Sequence, residues 1–570
     1  MKLRKFFMAS ILVLVVSAVI GVNDFVFSEE LHKSDVSLAK SDVWKILIAD
    51  NVNARRLRLV IDGSPVDDGA VYMNYNGDIM LPARLAVSEF DCSMRFYDES
   101  LLVIERNQAA ISIEPGESNM LLNGERLELK SEAVVKDGVL YIPMEALVKG
   151  LGCRYEWDVV SNTATVYDIV SGKRYPYSFD YRAIGKATTV KNQGKFGTCW
   201  AFAALTALES SLLPEEGYDF SEDHMSLHNS FSVKQNDGGE YTMSLAYLAA
   251  WQGPVLEEDD PYGDGESPDN LCAVKHVQEV QIIEAKNFDK IKEMVYKYGA
   301  VQTSLYTSLK NSQSRSVYYN AETYAYCYIG TEKPNHDVVI IGWDDRYSKN
   351  NFNTELEADG AFICQNSWGE EFGDNGIFYV SYYDTNIGIH NVVYTGIEAA
   401  DNYDKIYQSD LCGWVGQLGY MKDYAYFANA YTAGEDEELK AVSFYATGKD
   451  TEYEIYFVPN FKGSESFEYM RIVTKGRLEN AGYYTVRLRD AVPLKAGEKF
   501  AVVVRIKTPD SERPIAVEYV AGKSTESVEL GDGEGYISLQ GKAWENVEKT
   551  QNCNICLKAF TNKRETGEVK

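Results

Sequence analysis

A cysteine stands at the head of a helix-forming run in NQGKFGTCWAF, residues 192–202. From Cys199 the chain reads CWAFAALTALESSL, rich in Ala and Leu, and Pro214 stops the run. This predicts a helix of about four turns with Thr198 as its N-cap. Cys199 then falls in the first turn, where unpaired N–H groups and the helix dipole favour an anion. For a thiol, the anion is the nucleophile. A cysteine taken at random is more often an inert core residue, so its partners decide the matter. Gln193 lies six residues ahead on a glycine-containing loop. From there its amide can join the Cys199 N–H in binding an oxyanion. His336 lies 137 positions downstream (199 to 336) and opens the apolar run HDVVIIGW. An imidazole held on such a strand can take the thiol proton and return it to a leaving amine. Asn366, in QNSWGEEFGDNG, offers a carbonyl to orient the imidazole, and Trp368 is placed to shield that bond from water. The chemistry these types allow is acyl transfer to water through a thioester.

FDYR (179–182), VKNQG (190–194), GTCWAF (197–202), FSED (220–223), DGG (237–239), DDPYG (259–263), NHDVVIIGW (335–343) and QNSWGEEFGDNG (365–376) occur in that order. Together they resemble the papain-like cysteine peptidase family, whose cysteine signature and spacing to His and Asn are recognised marks. The resemblance implies Cys199 as nucleophile, His336 as base and acid, Asn366 as the group orienting His336, and Gln193 as oxyanion donor. It implies that Gly238 and Gly239 line the groove for the peptide backbone, with Trp368 beside it, and it implies no cofactor and no metal. Three departures stand out. The family usually has a cysteine three residues before the nucleophile, where this chain has Phe196, so local structure there must rely on packing. The interval from His336 to Asn366 is lengthened by the polar segment 344–359, expected on the surface beside the cleft. The usual helical propeptide is not recognisable.

The elements that must position these residues come from a chain of 570 residues, 45% apolar, with net charge −29. The size suggests two to four domains. The charge argues against nucleic acid as a partner. Lys2, Arg4 and Lys5 precede an uncharged run from Phe6 to Val22, which reads as an export signal cut after Ser28. An uncleaved membrane anchor is the competing reading, and it is the one route to a membrane. The nine cysteines are too scattered for a disulfide scaffold.

Residues 58–168 contain a repeat shifted by 61 positions (82 to 143, 92 to 153): Asp62-Gly63 with Asn123-Gly124, Asn76-Gly77 with Asp137-Gly138, Pro82 with Pro143, Val87 with Val148, Cys92 with Cys153 and Phe96 with Trp157. Each unit predicts strands around an Asx-Gly turn, then a short helix (83–90, 144–151) and further strands. The pattern resembles the copper amine oxidase N-terminal-like domain of exported Gram-positive bacterial proteins, and no copper ligand cluster accompanies it. From about 403 to 561, alternating stretches such as 441–446, 453–457, 484–488 and 501–506 predict an all-β sandwich. YQSDLCGW (407–414) and NICLKAFT (554–561) resemble the lectin-like domain that follows papain-type domains in some bacterial surface peptidases.

The expected fold is multidomain. An α+β papain-like catalytic domain, with a helical half and a β-barrel-like half, follows a small α+β repeat domain and precedes an all-β sandwich. The boundaries read 1–28 signal peptide, 29–57 linker or pro-segment, 58–168 repeat domain, 175–396 peptidase, 403–562 lectin-like domain and 563–570 polar tail. The function expected is a secreted or cell-surface cysteine endopeptidase acting on proteins or peptides, with a cell-wall or surface glycan as a partner of the last domain. Surface-layer-processing peptidases are the analogue. The rivals are an inert surface adhesin and a wall-acting Cys-His amidase or transglutaminase. His224 and His228 lack the zincin glutamate and read as structural. Cys553 and Cys556, three apart on a strand, should face opposite sides. The acidic run 434–438 reads as solvated.

Overall fold

The computed structural model describes residues 57–61, 64–66, 71–74, 76–85, 90, 92–97, 101–106, 109–136, 138–158, 161–167, 175–532 and 534–564. The signal and linker segments, Asp62-Gly63, Val87, Asp137, most of the helix expected at 83–90 and the end of the polar tail lie outside these residues. By contact the chain forms two compact units. One comprises mainly residues 68–151. The other holds 58–67, 152–158 and everything from 163 onward.

In the first unit the repeat is legible as pairing. Strand Ile79–Pro82 runs antiparallel to Val139–Pro143 with Tyr141 opposite Pro82, Ile142 opposite Leu81 and Pro143 opposite Met80. Since 80, 81 and 82 correspond to 141, 142 and 143 under the 61-residue shift, equivalent strands meet about a local twofold axis between Leu81 and Ile142. The second expected helix is present over Met144–Leu151. Asn119–Leu122 and Glu125–Glu128 form a hairpin, and their counterparts Arg58–Ile61 and Ser64–Val66 form another in the second unit. Cys92 and Cys153 are both buried.

The second unit contains the mixed α+β segment and the all-β segment. Helix Cys199–Leu212 is buried along its whole length except at Cys199 and Ser211, which explains a sequence apolar on every side. It lies against strand His336–Asp344, whose residues are buried from His336 to Trp343. A strand covered on both faces reads as a continuous apolar run. Thr198 is the N-cap residue but makes no side-chain cap. Its hydroxyl instead meets the Tyr262 hydroxyl at 2.6 Å.

The antiparallel strands of this half do not stop at the end of the mixed segment. Strand Asn391–Ala399 pairs with Lys275–Ile282, which pairs in turn with Ala481–Leu494 of the all-β segment, Ile282 opposite Ala481. One sheet of thirteen strands therefore crosses from one segment into the other. Their apolar core is likewise shared, since Tyr445, Tyr483 and Cys556 pack in the cluster that holds Trp200 and Trp343.

The all-β segment is a sandwich. Val442, Phe444 and Leu557 on the shared sheet pack against Phe427, Ile455 and Val502 on a six-stranded partner. Cys553 belongs to the sandwich core and Cys556 to the shared core, on opposite sides as the spacing requires. The acidic run is not simply solvated. Glu437 is buried and accepts from the Tyr407 hydroxyl and the N–H groups of Gly434 and Glu435. The segment 344–359 carries its own small core, Phe352 and Leu356, packed with Ala325 and Cys327. It packs on the edge of the sheet at Ala325, where those apolar side chains find a partner. His224 stacks on His228 and meets Tyr247 at 2.6 Å, while His228 bonds the Ser267 carbonyl, so both rings serve packing.

Candidate active site

Strand pairing brings the distant residues together. Val339 faces Gln365, so the chain leaves the ladder at Asn366 where its neighbour begins at His336. His336 Nε2 donates to Asn366 Oδ1 at 2.8 Å. The Ser367 N–H, also 2.8 Å from that oxygen, fixes which end of the amide is the acceptor. The Trp368 ring stacks on the imidazole at 4.8 Å, and all three side chains are buried. The tautomer follows: Nε2 carries the proton and Nδ1 has its lone pair available.

The loop before the helix is tied to the same turn. Gln193 N–H donates to the Ser367 carbonyl at 2.9 Å, and Ser367 Oγ donates to Gln193 Oε1 at 2.7 Å. Gln193 Nε2 then gives one hydrogen to the Phe196 carbonyl at 2.8 Å, and a carboxamide nitrogen has a second. Asn192 Oδ1 accepts from Gly194 N–H at 2.9 Å. Gly194 sits at φ 61°, a conformation glycine adopts freely. Below the loop, Lys191 Nζ reaches Glu209 and Glu222 at 2.9 Å each. The ammonium keeps its proton firmly, while burial pushes the Glu222 carboxyl up to about 8.

Around Phe196, packing and hydrogen bonds hold the loop, as the absence of a cysteine there requires. Gly197 N–H donates to the Gln235 carbonyl at 2.9 Å. Tyr262 lies edge-on to Phe196 and Phe202. Its hydroxyl donates to the Gln193 carbonyl at 2.9 Å while meeting Thr198. Gly238 and Gly239 run along this entry. A Cβ on Gly239 would lie 2.4 Å from Trp200 Nε1, so only glycine lets the backbone pass there.

Cys199 keeps part of its surface open. Burial and the nearby Asp337 carboxylate push its thiol up to about 12, against the backbone N–H groups of Asp337, Trp200 and Cys199, which favour the thiolate. Burial pulls His336 down to about 4, against the raising effect of Asn366. Each shift disfavours one lone charge. Proton transfer from thiol to imidazole leaves the net charge unchanged, so neither shift forbids it. Catalytic pairs commonly tighten only with substrate bound. Asp337 itself accepts from Ser304 Oγ at 2.6 Å and Gln302 Nε2 at 3.0 Å. Sequence reasoning missed Asp337, Ser367, Tyr262 and Lys191. Only the position of Asp337 beside His336 was a usable signal.

Residues 175–397 match the model of the papain family cysteine protease, residues 60–166 the copper amine oxidase N-terminal domain and residues 406–561 the lectin like domain. The chain is 28% identical over 239 residues to cathepsin K of Mus musculus, covering 41% of this chain and 68% of that protein. It is 30% identical over 220 residues to cathepsin K of Gallus gallus, with 37% and 60% covered. Among solved structures, the cysteine protease and lectin-like domains of Cwp84, a surface layer associated protein of Clostridium difficile, align at TM-score 0.60 and 27% identity. That alignment covers 69% of this chain and 90% of the other. Cwp84 after propeptide cleavage aligns at TM-score 0.61 and 27% identity, with 68% and 99% covered. Residues 175–397 are thus a papain family cysteine protease domain, with a copper amine oxidase N-terminal domain before it and a lectin like domain after it, and the chain is a papain-like cysteine peptidase.

Proposed function

We propose that the chain is an exported endopeptidase that cleaves proteins or peptides through Cys199. His336 Nδ1 takes the thiol proton as sulfur attacks the scissile carbonyl. The second Gln193 amide hydrogen and the Cys199 N–H hold the oxyanion. His336 returns the proton to the leaving amine, and water then hydrolyses the thioester with His336 again as base. Asn366 keeps Nε2 protonated and the ring oriented, and Trp368 covers that bond. Gly238 and Gly239 offer bare backbone along which an extended substrate lies. The observation that supports this reading best is the His336–Asn366 bond of 2.8 Å beneath Trp368.

Export is inferred from the basic and then apolar N-terminus. Among the described residues no helix is long and apolar enough to cross a membrane. A cell-surface setting, with a wall or surface glycan held by the lectin like domain, follows from that domain's kind and from the surface-layer association of Cwp84. The test is covalent labelling of the full chain by a papain-directed epoxide. Labelling lost in Cys199→Ala, together with hydrolysis of denatured protein by the wild type, is the expected result. Turnover that survives Cys199→Ala would refute it.

A further inference from the structure

A groove of about 1060 Å3 lies between the peptidase and lectin like segments. That is the upper end of the range for ligand-sized clefts, ~300–1,000 Å3. Its position is set by the shared sheet: Ile282 and Ala481, which line it, are paired across the strand junction. A Cβ on Gly482 would lie 2.0 Å from the Val280 carbonyl oxygen, so the two backbones are as close there as a ladder allows. The walls are therefore tied by backbone hydrogen bonds.

One end of the groove lies close in sequence to the glycine pair. Tyr241 lines it and begins the helix that follows Gly238-Gly239. The Tyr241 ring lies 5.4 Å from that of His390, which also lines the groove. Asp337, the chain neighbour of His336, is within electrostatic reach of both. The other end lies along the lectin like turn at 508–513.

The charges along the groove are unequal. Lys449 pairs with Glu284 at 3.1 Å, Lys290 with Glu479 at 2.8 Å, and Asp450 with Arg477 at 2.8 Å. Asp510 and Glu512 are exposed and form no ion pair among the described residues, and Arg513 is the one further cation in the lining. An occupant with positive side chains fits that remainder.

We propose that this groove is an extended subsite for the polypeptide substrate, holding a lysine- or arginine-bearing stretch several residues from the scissile bond, so that the lectin like domain takes part in choosing what is cleaved. This rests on the peptidase reading above. The groove reaches Tyr241, at the head of the helix that follows Gly238-Gly239, and needs no hinge to form, because the strand junction already fixes it.

The test compares two probes on the full chain: a short reporter peptide spanning only the scissile bond, and a longer peptide with paired lysines at its distal end. The variant is Asp510→Asn with Glu512→Lys. Asparagine suits the positive φ of 63° at position 510. The variant should lower kcat/KM for the long lysine peptide by ~5-fold, the scale of two exposed charges. The short reporter should be unaffected, and the difference should fade in high salt. An equal change on both probes, or none on the long one, overturns the proposal. Binding of the same labelled long peptide to Cys199→Ala, with and without the groove substitutions, separates the two readings. A wild type that takes no epoxide refutes the peptidase assignment, whereas binding indifferent to Asp510 and Glu512 refutes the subsite.

Discussion

Buried polar groups serve opposite ends in the peptidase and lectin like segments. In the lectin like segment several of them tie one strand or loop to another. Lys558 and Asp410, 1% and 0% exposed at their side chains, pair at 2.9 Å, and Lys558 also donates to Gln408. Asn429 donates to the carbonyls of Ile555 and Leu557, and Glu437 collects three donors. In the peptidase segment His336, Asn366 and Gln193 are as deeply placed, yet the His336 ring and the Gln193 amide each keep one hydrogen-bonding position uncommitted among the described residues. The first arrangement holds strands together. The second leaves capacity for a reacting substrate. Loss of a group should accordingly show as stability in one segment and as rate in the other.

The contrast is sharpest at the proposed catalytic pair. His336→Ala should reduce kcat by ~10^4-fold or more while leaving the unfolding midpoint nearly unchanged. A fall in thermal stability that accounts for the lost rate would break the comparison. Next comes Lys558→Met, which strands the Asp410 carboxylate in the core. It should cost about 3–5 kcal/mol in denaturant unfolding, with kcat per folded molecule preserved. Tyr262→Phe keeps the ring contacts and removes the hydroxyl that joins Gln193 to Thr198. It should lower kcat by up to ~10-fold, the scale of one hydrogen bond, with KM little changed and labelling of Cys199 intact. Equal effects on KM and kcat would make Tyr262 a packing residue. The smallest effect is a displacement on the pH axis. Burial holds His336 neutral until pH falls towards about 4, so the base is lost by protonation only there. The acid limb of kcat/KM should lie well below the ordinary imidazole value of 6.5. An acid limb at 6.5 would show that the resting burial does not govern the working enzyme.

Much of this was legible in the chain before any coordinates. The thiol at a helix head, the histidine opening an apolar strand and the two carboxamides are local signals, and each carries its chemistry in its neighbours. The 61-residue repeat was legible too, and the pairing about Leu81 and Ile142 is its spatial form. What stayed hidden depends on partners brought close by folding. Tyr262 reads as one tyrosine among 40 until its hydroxyl is seen between Thr198 and Gln193. Thr198 carries a good capping side chain and uses it elsewhere. Glu437 sits in an acidic run, and only the fold reveals that its carboxylate is enclosed. The pairing of Ile282 with Ala481 has no local marker, because either strand would look the same with solvent at its edge.

That last pairing decides where the molecule can be divided. A cut in the connection after Ala399 looks natural on paper, since texture changes there. It would strip Lys275–Ile282 of its neighbour and leave a row of unsatisfied backbone donors and acceptors, the kind of open edge that recruits other chains. It would also bare the aromatic surfaces around Tyr445 and Tyr483. For expression or engineering, residues 175–564 are better kept together, with any exchange of the lectin like segment made by grafting loops onto the sandwich rather than by swapping it whole.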